Sequence, residues 1–416
     1  MLTKVRLILV LAIIGGMLSS GCSRQKGEAI PLLNWYVFNE PSGAFSMAAR
    51  QCSEASQGAY QVELIPLPAD TDQQREQLVR RLAAGDTAID IIGMDVIWTA
   101  EFAQAKWILP WTGHVAEQAK AGRLAAPLQS ATYQNQLWGA PFTTNAQLLW
   151  YRTDRINTAP ETWDEMIHLA EKLGKTGIIQ AQGERYEGLT VFFISLLASA
   201  GGSVLDESGT RISLAQEPTL FALSVMARLA NSVAADRNLA TAREDQTRLA
   251  FESGNASFMV NYTFVWPSAQ ENTPEIAEHI GWARWPAVIE GKPSRFAIGG
   301  INLAVSAYSL HPELAFQAAA CIASVRHQQR AAELGGLPPT IAALYDDPKV
   351  REIFPFADVL HSTLRDAVLR PQTPLYNDVS LAISRILHPM RAIDPQRDVV
   401  RLRDAITRAL NSEGLL

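Results

Sequence analysis

Leu32-Leu33-Asn34-Trp35-Tyr36-Val37, Tyr60-Gln61-Val62-Glu63-Leu64-Ile65-Pro66-Leu67 and Ile89-Asp90-Ile91-Ile92-Gly93-Met94 are three short, mainly apolar runs. Each is too short for a helix and rich enough in aliphatic and aromatic residues to read as a strand. Between them lie two stretches with helical spacing, Phe45 to Ser56 and Thr71 to Ala84, the second stopped by Gly85. Asn39-Glu40-Pro41-Ser42-Gly43, after the first strand, is dense in turn residues. Parallel strands need a long crossover between them, so strands alternating with helices predict β-α-β units and a doubly wound α/β lobe. Asp95 follows the third strand, at the end of the sheet where open α/β folds place ligands.

The alternation resumes downstream. Leu148 to Arg152 reads as a strand, Trp163 to Leu173 as a helix opened by Thr162, and Thr190 to Ala200 as a helix closed by Gly201-Gly202. Pro218 to Ser232 and Arg243 to Glu252 read as helices, Ala256 to Val260 and Ile301 to Val305 as short strands, and the chain from His311 as mostly helical. A length of 416 residues exceeds the roughly 100 to 200 of one domain, so two lobes are expected. A net charge of −6 without a basic cluster argues against nucleic acid as partner.

The first 22 residues address the chain to the cell envelope. Lys4 and Arg6, the apolar run Leu7 to Leu18 and the small residues Ser19-Ser20-Gly21 before Cys22 have the layout of a bacterial lipoprotein signal. Cleavage before Cys22 would leave a lipidated thiol anchoring the chain outside the cytoplasmic membrane. An ordinary secretory signal or a single span are the alternatives, and the run is shorter than the roughly 20 residues a span needs. Residues 23–29 would be a tether. The two remaining cysteines, Cys52 and Cys321, suit one disulfide in an oxidising compartment or two buried free thiols.

Four phrases carry a family resemblance. They are Leu137-Trp138-Gly139-Ala140-Pro141-Phe142-Thr143-Thr144-Asn145, then Leu249 to Val260 (LAFESGNASFMV), Gly299-Gly300-Ile301-Asn302-Leu303-Ala304-Val305-Ser306, and His311-Pro312-Glu313-Leu314-Ala315. In this order, with the lipoprotein signal, the chain resembles the solute-binding lipoproteins of carbohydrate ABC transporters, the maltose-binding-protein superfamily. Met94 to Phe102, Gly335-Gly336-Leu337-Pro338 and Arg370 to Tyr376 are similar to the trehalose- and maltose-type branch, whereas Asn261-Tyr262 stands where that branch often has tryptophan.

The resemblance implies a two-lobed periplasmic-binding-protein type II fold with a ligand cleft between the lobes. Lobe 1 would comprise residues 30–143 and 285–308, lobe 2 residues 144–284 and 309–416. The crossings would fall near Pro141 to Thr144, Gly281 to Trp285 and Ser306 to Leu310. It also implies a monomer that captures a disaccharide and hands it to a membrane permease, with no cofactor, no metal and no catalysis.

Sugar hydroxyls give up hydrogen bonds to water, so a sugar site must return them through groups such as Asp, Glu, Asn and Arg. Asn39, Glu40, Asp95 and Asn145 are the candidates from the first lobe. From the second, the resemblance nominates Glu244, Tyr262, Gly300, Gly336, Leu337 and Arg370. Each has a plainer reading: Asp95 as a helix cap, Glu244 and Arg370 as surface ion-pair partners, Tyr262 as core, Glu40 as a solvated loop charge. Asp95 and Glu244 are also what a glycosidase would need. No nucleophile elbow, zinc signature or phosphate loop accompanies them, and the seven histidines show no ligand spacing. A structural envelope lipoprotein is the third class.

Overall fold

The computed structural model describes residues 29–68 and 70–413. The proposed signal, with Cys22, and most of the tether lie outside the described residues. Among the described residues, no helix is long and apolar enough to cross a membrane.

Two sheets organise the chain. The first has the order β2-β1-β3-β11-β6, from β1 (Leu32–Phe38), β2 (Gln61–Leu67), β3 (Ile91–Asp95), β6 (Ala140–Asn145) and β11 (Gly299–Val305). β1 runs parallel to β2 and β3, whereas β11 is antiparallel to β3 and β6. A small hairpin, β4 (Thr132–Tyr133) and β5 (Gln136–Leu137), sits beside it. The second sheet has the order β10-β7-β9-β8, from β7 (Leu148–Arg152), β8 (Ile179–Gln180), β9 (Phe258–Asn261) and β10 (Ile280–Ala283).

Successive side chains of a strand point to opposite faces, and β1 shows the result. Leu33, Trp35 and Val37 join one core with the helices Ala44–Ala55 and Pro312–Ile322, while Tyr36 joins another with Leu78, Leu82, Ile92 and Met94. A third core surrounds the second sheet, with Trp150, Phe193, Phe258, Met226 and Leu402 at its centre. The helix Trp163–Leu173 starts at Thr162, whose hydroxyl accepts from the Glu165 amide, as its sequence predicts.

The lobe boundaries differ from those expected. The first crossing runs from Asn145 to Leu148, since Ala146 already packs in the third core. Residues 285–298 belong with the second sheet: Trp285 packs edge-on against Trp163 and Phe192, and Phe296 and Ile298 fill the same core. The second crossing is therefore at Ile298–Gly299. Residues 309–335 stay with the first sheet, because Ala315, Ala318, Ala319, Ile322 and Ala331 bury their methyl groups in its core. The third crossing is Gly336 to Thr340, after which Ile341, Leu344 and Tyr345 enter the third core.

The three crossings touch one another. Gly299 pairs with Asn145, the Thr144 amide donates to the Pro338 carbonyl over 2.9 Å, and the Thr340 hydroxyl donates to the Pro141 carbonyl. Three adjacent extended segments form one hinge rather than three independent linkers.

Cys52 and Cys321 are bonded, with α-carbons 5.9 Å apart, on two helices of the first lobe. The bond joins two helices of one lobe, although the chain between them, 269 residues in separation, passes through the other. Cys321→Ser is expected to lower the stability of that lobe by about 2 to 4 kcal/mol, seen as an earlier transition in denaturant. Because no lobe boundary is spanned, small-angle scattering should show the same interlobe distance. A changed distance would mean that the bond restrains the lobes.

Candidate functional site

A cavity of about 320 Å³ lies between the lobes, within the size range of small-molecule sites. Of the expected residues, Asp95, Asn145, Glu244, Tyr262, Gly300, Leu337 and Arg370 line it. Asn39, Glu40 and Gly336 do not. Asn39 is exposed, and the Glu40 carboxylate accepts from the amides of Ser42 and Ala44, which start the helix Ala44–Ala55. Gly336 ends the helix Val325–Gly335 with φ near +61°, a conformation that favours glycine.

The floor is built on Arg370. Its Nη1 donates to Glu187 over 2.8 Å and its Nη2 to Asp95 over 3.2 Å, so one buried guanidinium joins the two lobes. Burial opposes its charge, but Asp95 and Glu187 more than offset this and hold its pKa above the ordinary value. Asp95 lines the cavity and also has the plainer role of a cap: the oxygen that meets Arg370 accepts from the Ile97 amide at the turn Val96–Trp98. Glu187 accepts further hydrogen bonds from Tyr376 and Ser380. Desolvation in the floor of the cleft still pushes its pKa up.

The mouth carries a second cross-lobe cation. Arg243 donates to Asp70 of the first lobe over 2.9 Å and to Glu184 of the second over 2.7 Å, with its guanidinium over the Tyr186 ring. Tyr186 in turn donates to Glu244 over 2.8 Å. Asp70 caps the helix Thr71–Ala83, an ordinary position for an aspartate, which is why sequence reasoning passed over it. Asp72, Tyr186, Glu187 and Arg243 were missed for a similar reason, since each sits in the first turn of a helix or just before one.

Several polar groups face the cavity without an internal partner. The Asp72 carboxylate, the Asn145 amide and the Tyr262 hydroxyl make no hydrogen bond among the described residues. Asp72 is exposed at the mouth, and partial desolvation in the cleft, helped by neighbouring Asp70, raises its pKa. Tyr262 rests edge-on against Phe296, and together with Phe38 and Tyr186 it gives the wall apolar surface. Gly300 lets β11 and β6 close the back: at φ +137°, an added Cβ would meet the Thr143 carbonyl oxygen at 2.3 Å. Trp98, Trp138, Trp150 and Trp282 do not line the cavity; they pack in the hydrophobic clusters.

Burial also raises the Glu244 pKa above the ordinary 4.5. The native state then holds a proton that the unfolded chain has released, so this group's contribution to stability falls as pH rises from 4.5 through the raised native value. Glu244→Gln should therefore raise the melting temperature of the ligand-free protein at pH 7 and leave it nearly unchanged at pH 4. A variant less stable at pH 7 would show that the charged carboxylate is favoured instead.

The model of the family described as "Bacterial extracellular solute-binding protein" matches residues 57–329. A probable ABC transporter-binding protein of Deinococcus radiodurans is 32% identical over 345 residues, covering 79% of this chain and 81% of its own length. The maltose-bound structure of Thermotoga maritima MalE3 superposes with a TM-score of 0.81 at 28% identity, covering 90% of this chain and 99% of that one. The GacH receptor of Streptomyces glaucescens, also solved with acarbose, superposes at 0.80 with 20% identity over 92% and 98%, a likeness of fold. The fold, the interlobe cavity and these matches place the chain among the bacterial extracellular solute-binding proteins of ABC transporters, which capture solutes and do not transform them.

Proposed function

We propose that this chain is the lipid-anchored receptor of an ABC sugar importer, capturing a disaccharide of the trehalose or maltose type and delivering it to a membrane permease. The observation that carries the reading is the cavity wall. Unengaged polar groups face the space from both lobes, Asp72, Asn145 and the free oxygen of Asp95 from one and Tyr262 from the other. A compact polyhydroxylated ligand would return hydrogen bonds to all of them, while Phe38, Tyr186 and Tyr262 would cover the apolar faces of its rings. The likeness to the maltose-bound Thermotoga protein supports a sugar of this size. Contact with both lobes at once would favour the closed form, which the permease would then recognise.

Calorimetric titration with trehalose, maltose, sucrose and longer glucans tests the reading, with one of the first two expected to bind most tightly. Asp95→Ala removes a charged acceptor, a loss of about 1 to 3 kcal/mol or more. Affinity should therefore fall about tenfold or more. Tyr262→Phe should weaken binding less, through the hydroxyl alone. Unchanged affinity in both variants would place the ligand elsewhere.

The anchor is tested separately. Cys22→Ala should abolish incorporation of labelled fatty acid and leave the protein unprocessed or released from the membrane. Normal labelling of that variant would refute the proposed lipidation site.

A further inference from the structure

Three helices of the first lobe bring Cys52 together with Cys321 and His327, which lie some 270 residues further along the chain, and the three ligand atoms are within 4.8 Å of one another. His327 is 5% exposed, and its Nε2 lies 3.4 Å from the Cys52 sulfur and 3.9 Å from that of Cys321. Its Nδ1 has no partner among the described residues. In a tetrahedral zinc site the metal–sulfur and metal–nitrogen bonds of about 2.3 and 2.0 to 2.1 Å set nitrogen and sulfur about 3.5 Å apart. The imidazole stands at that spacing from the Cys52 sulfur and within 0.5 Å of it from the Cys321 sulfur. In the disulfide-bonded state the sulfurs' bond to each other occupies the space a cation would take.

We propose that Cys52, Cys321 and His327 form a thiol-gated site for a soft divalent cation such as Zn²⁺, closed by the disulfide and opened by a dithiol reductant. The dithiol supplies two electrons and two protons, closing to its own disulfide while Cys52 and Cys321 become thiols. Zn²⁺ then displaces both thiol protons to solvent, giving two thiolates and one neutral imidazole around the cation, with water at the fourth position. Cys321 is partly exposed and lines a groove of about 590 Å³ with His114, Arg123 and Gln317, which gives reductant and metal a way in.

Ala48, Ala49, Ala315 and Ala319 share the core with Cys52, and this apolar contact is expected to hold the helices together after reduction.

The test uses the whole mature chain, oxidised or reduced with a dithiol that is then removed under inert gas. Reduced protein should bind one Zn²⁺ per chain in competition with a chromophoric chelator, and Co²⁺ should give a thiolate charge-transfer band. Oxidised protein should do neither. His327→Ala and Cys321→Ser should each weaken Zn²⁺ binding at least tenfold in the reduced state. Equal uptake by oxidised protein, equal uptake by reduced His327→Ala, or loss of helical circular dichroism on reduction would each overturn the proposal.

Discussion

The interaction on which the rest of the site depends is the buried guanidinium of Arg370 between Asp95 and Glu187. Withdrawing three charges from water is costly, and attraction alone does not always repay the cost. Here each carboxylate finds further donors: Asp95 the Ile97 amide, Glu187 the hydroxyls of Tyr376 and Ser380. Ser380 and Thr190 are themselves hydrogen-bonded, so the helices Glu187–Ser199 and Tyr376–Leu387 are fixed to each other at the same place. Removing the cation would leave two uncompensated carboxylates facing one another. The position of Asp95, and so of the acceptor it turns toward the cavity, follows from this arrangement.

The two cross-lobe ion pairs are unequal. At the floor, Arg370 is 5% exposed and the hinge segments lie alongside; at the mouth, Arg243 and Asp70 are 35% and 26% exposed. Solvent and salt screen the second pair, whose contribution is small by comparison. The lobes are thus joined firmly along the hinge and floor and loosely at the rim.

The first lobe was legible in the sequence because each of its parallel strands is a short apolar run bounded by clear turn signals, Gly85 and Asn39 to Gly43 among them. The hinge was not. A crossing is a few extended residues with no composition of its own, and Ser306 to Leu310 looks as much like a crossing as Gly336 to Thr340, where the chain actually passes. Only packing decides it, since Ala315 and Ile322 find their core in the first lobe. The helix expected from Thr190 begins a turn earlier at Glu187, which is how that carboxylate escaped notice. Glu40 illustrates the reverse error. An acidic residue in the loop after the first strand suits a ligand, yet its carboxylate serves two backbone amides at a helix start.

The order of strands in the first sheet constrains how the molecule comes into being. β6, ending at Asn145, reaches β3 only through β11, which begins at Gly299. Until that later strand is made, the backbone edges of β3 and β6 that it joins have no strand between them. Contacts of such long sequence separation form slowly, because loop-closure entropy must be overcome before they give any return. A nascent chain of this topology therefore cannot complete its first sheet until some three hundred residues have been synthesised. For a member of a family described as extracellular, the first lobe thus gains its native sheet only after β11 is available, late in the order of the chain.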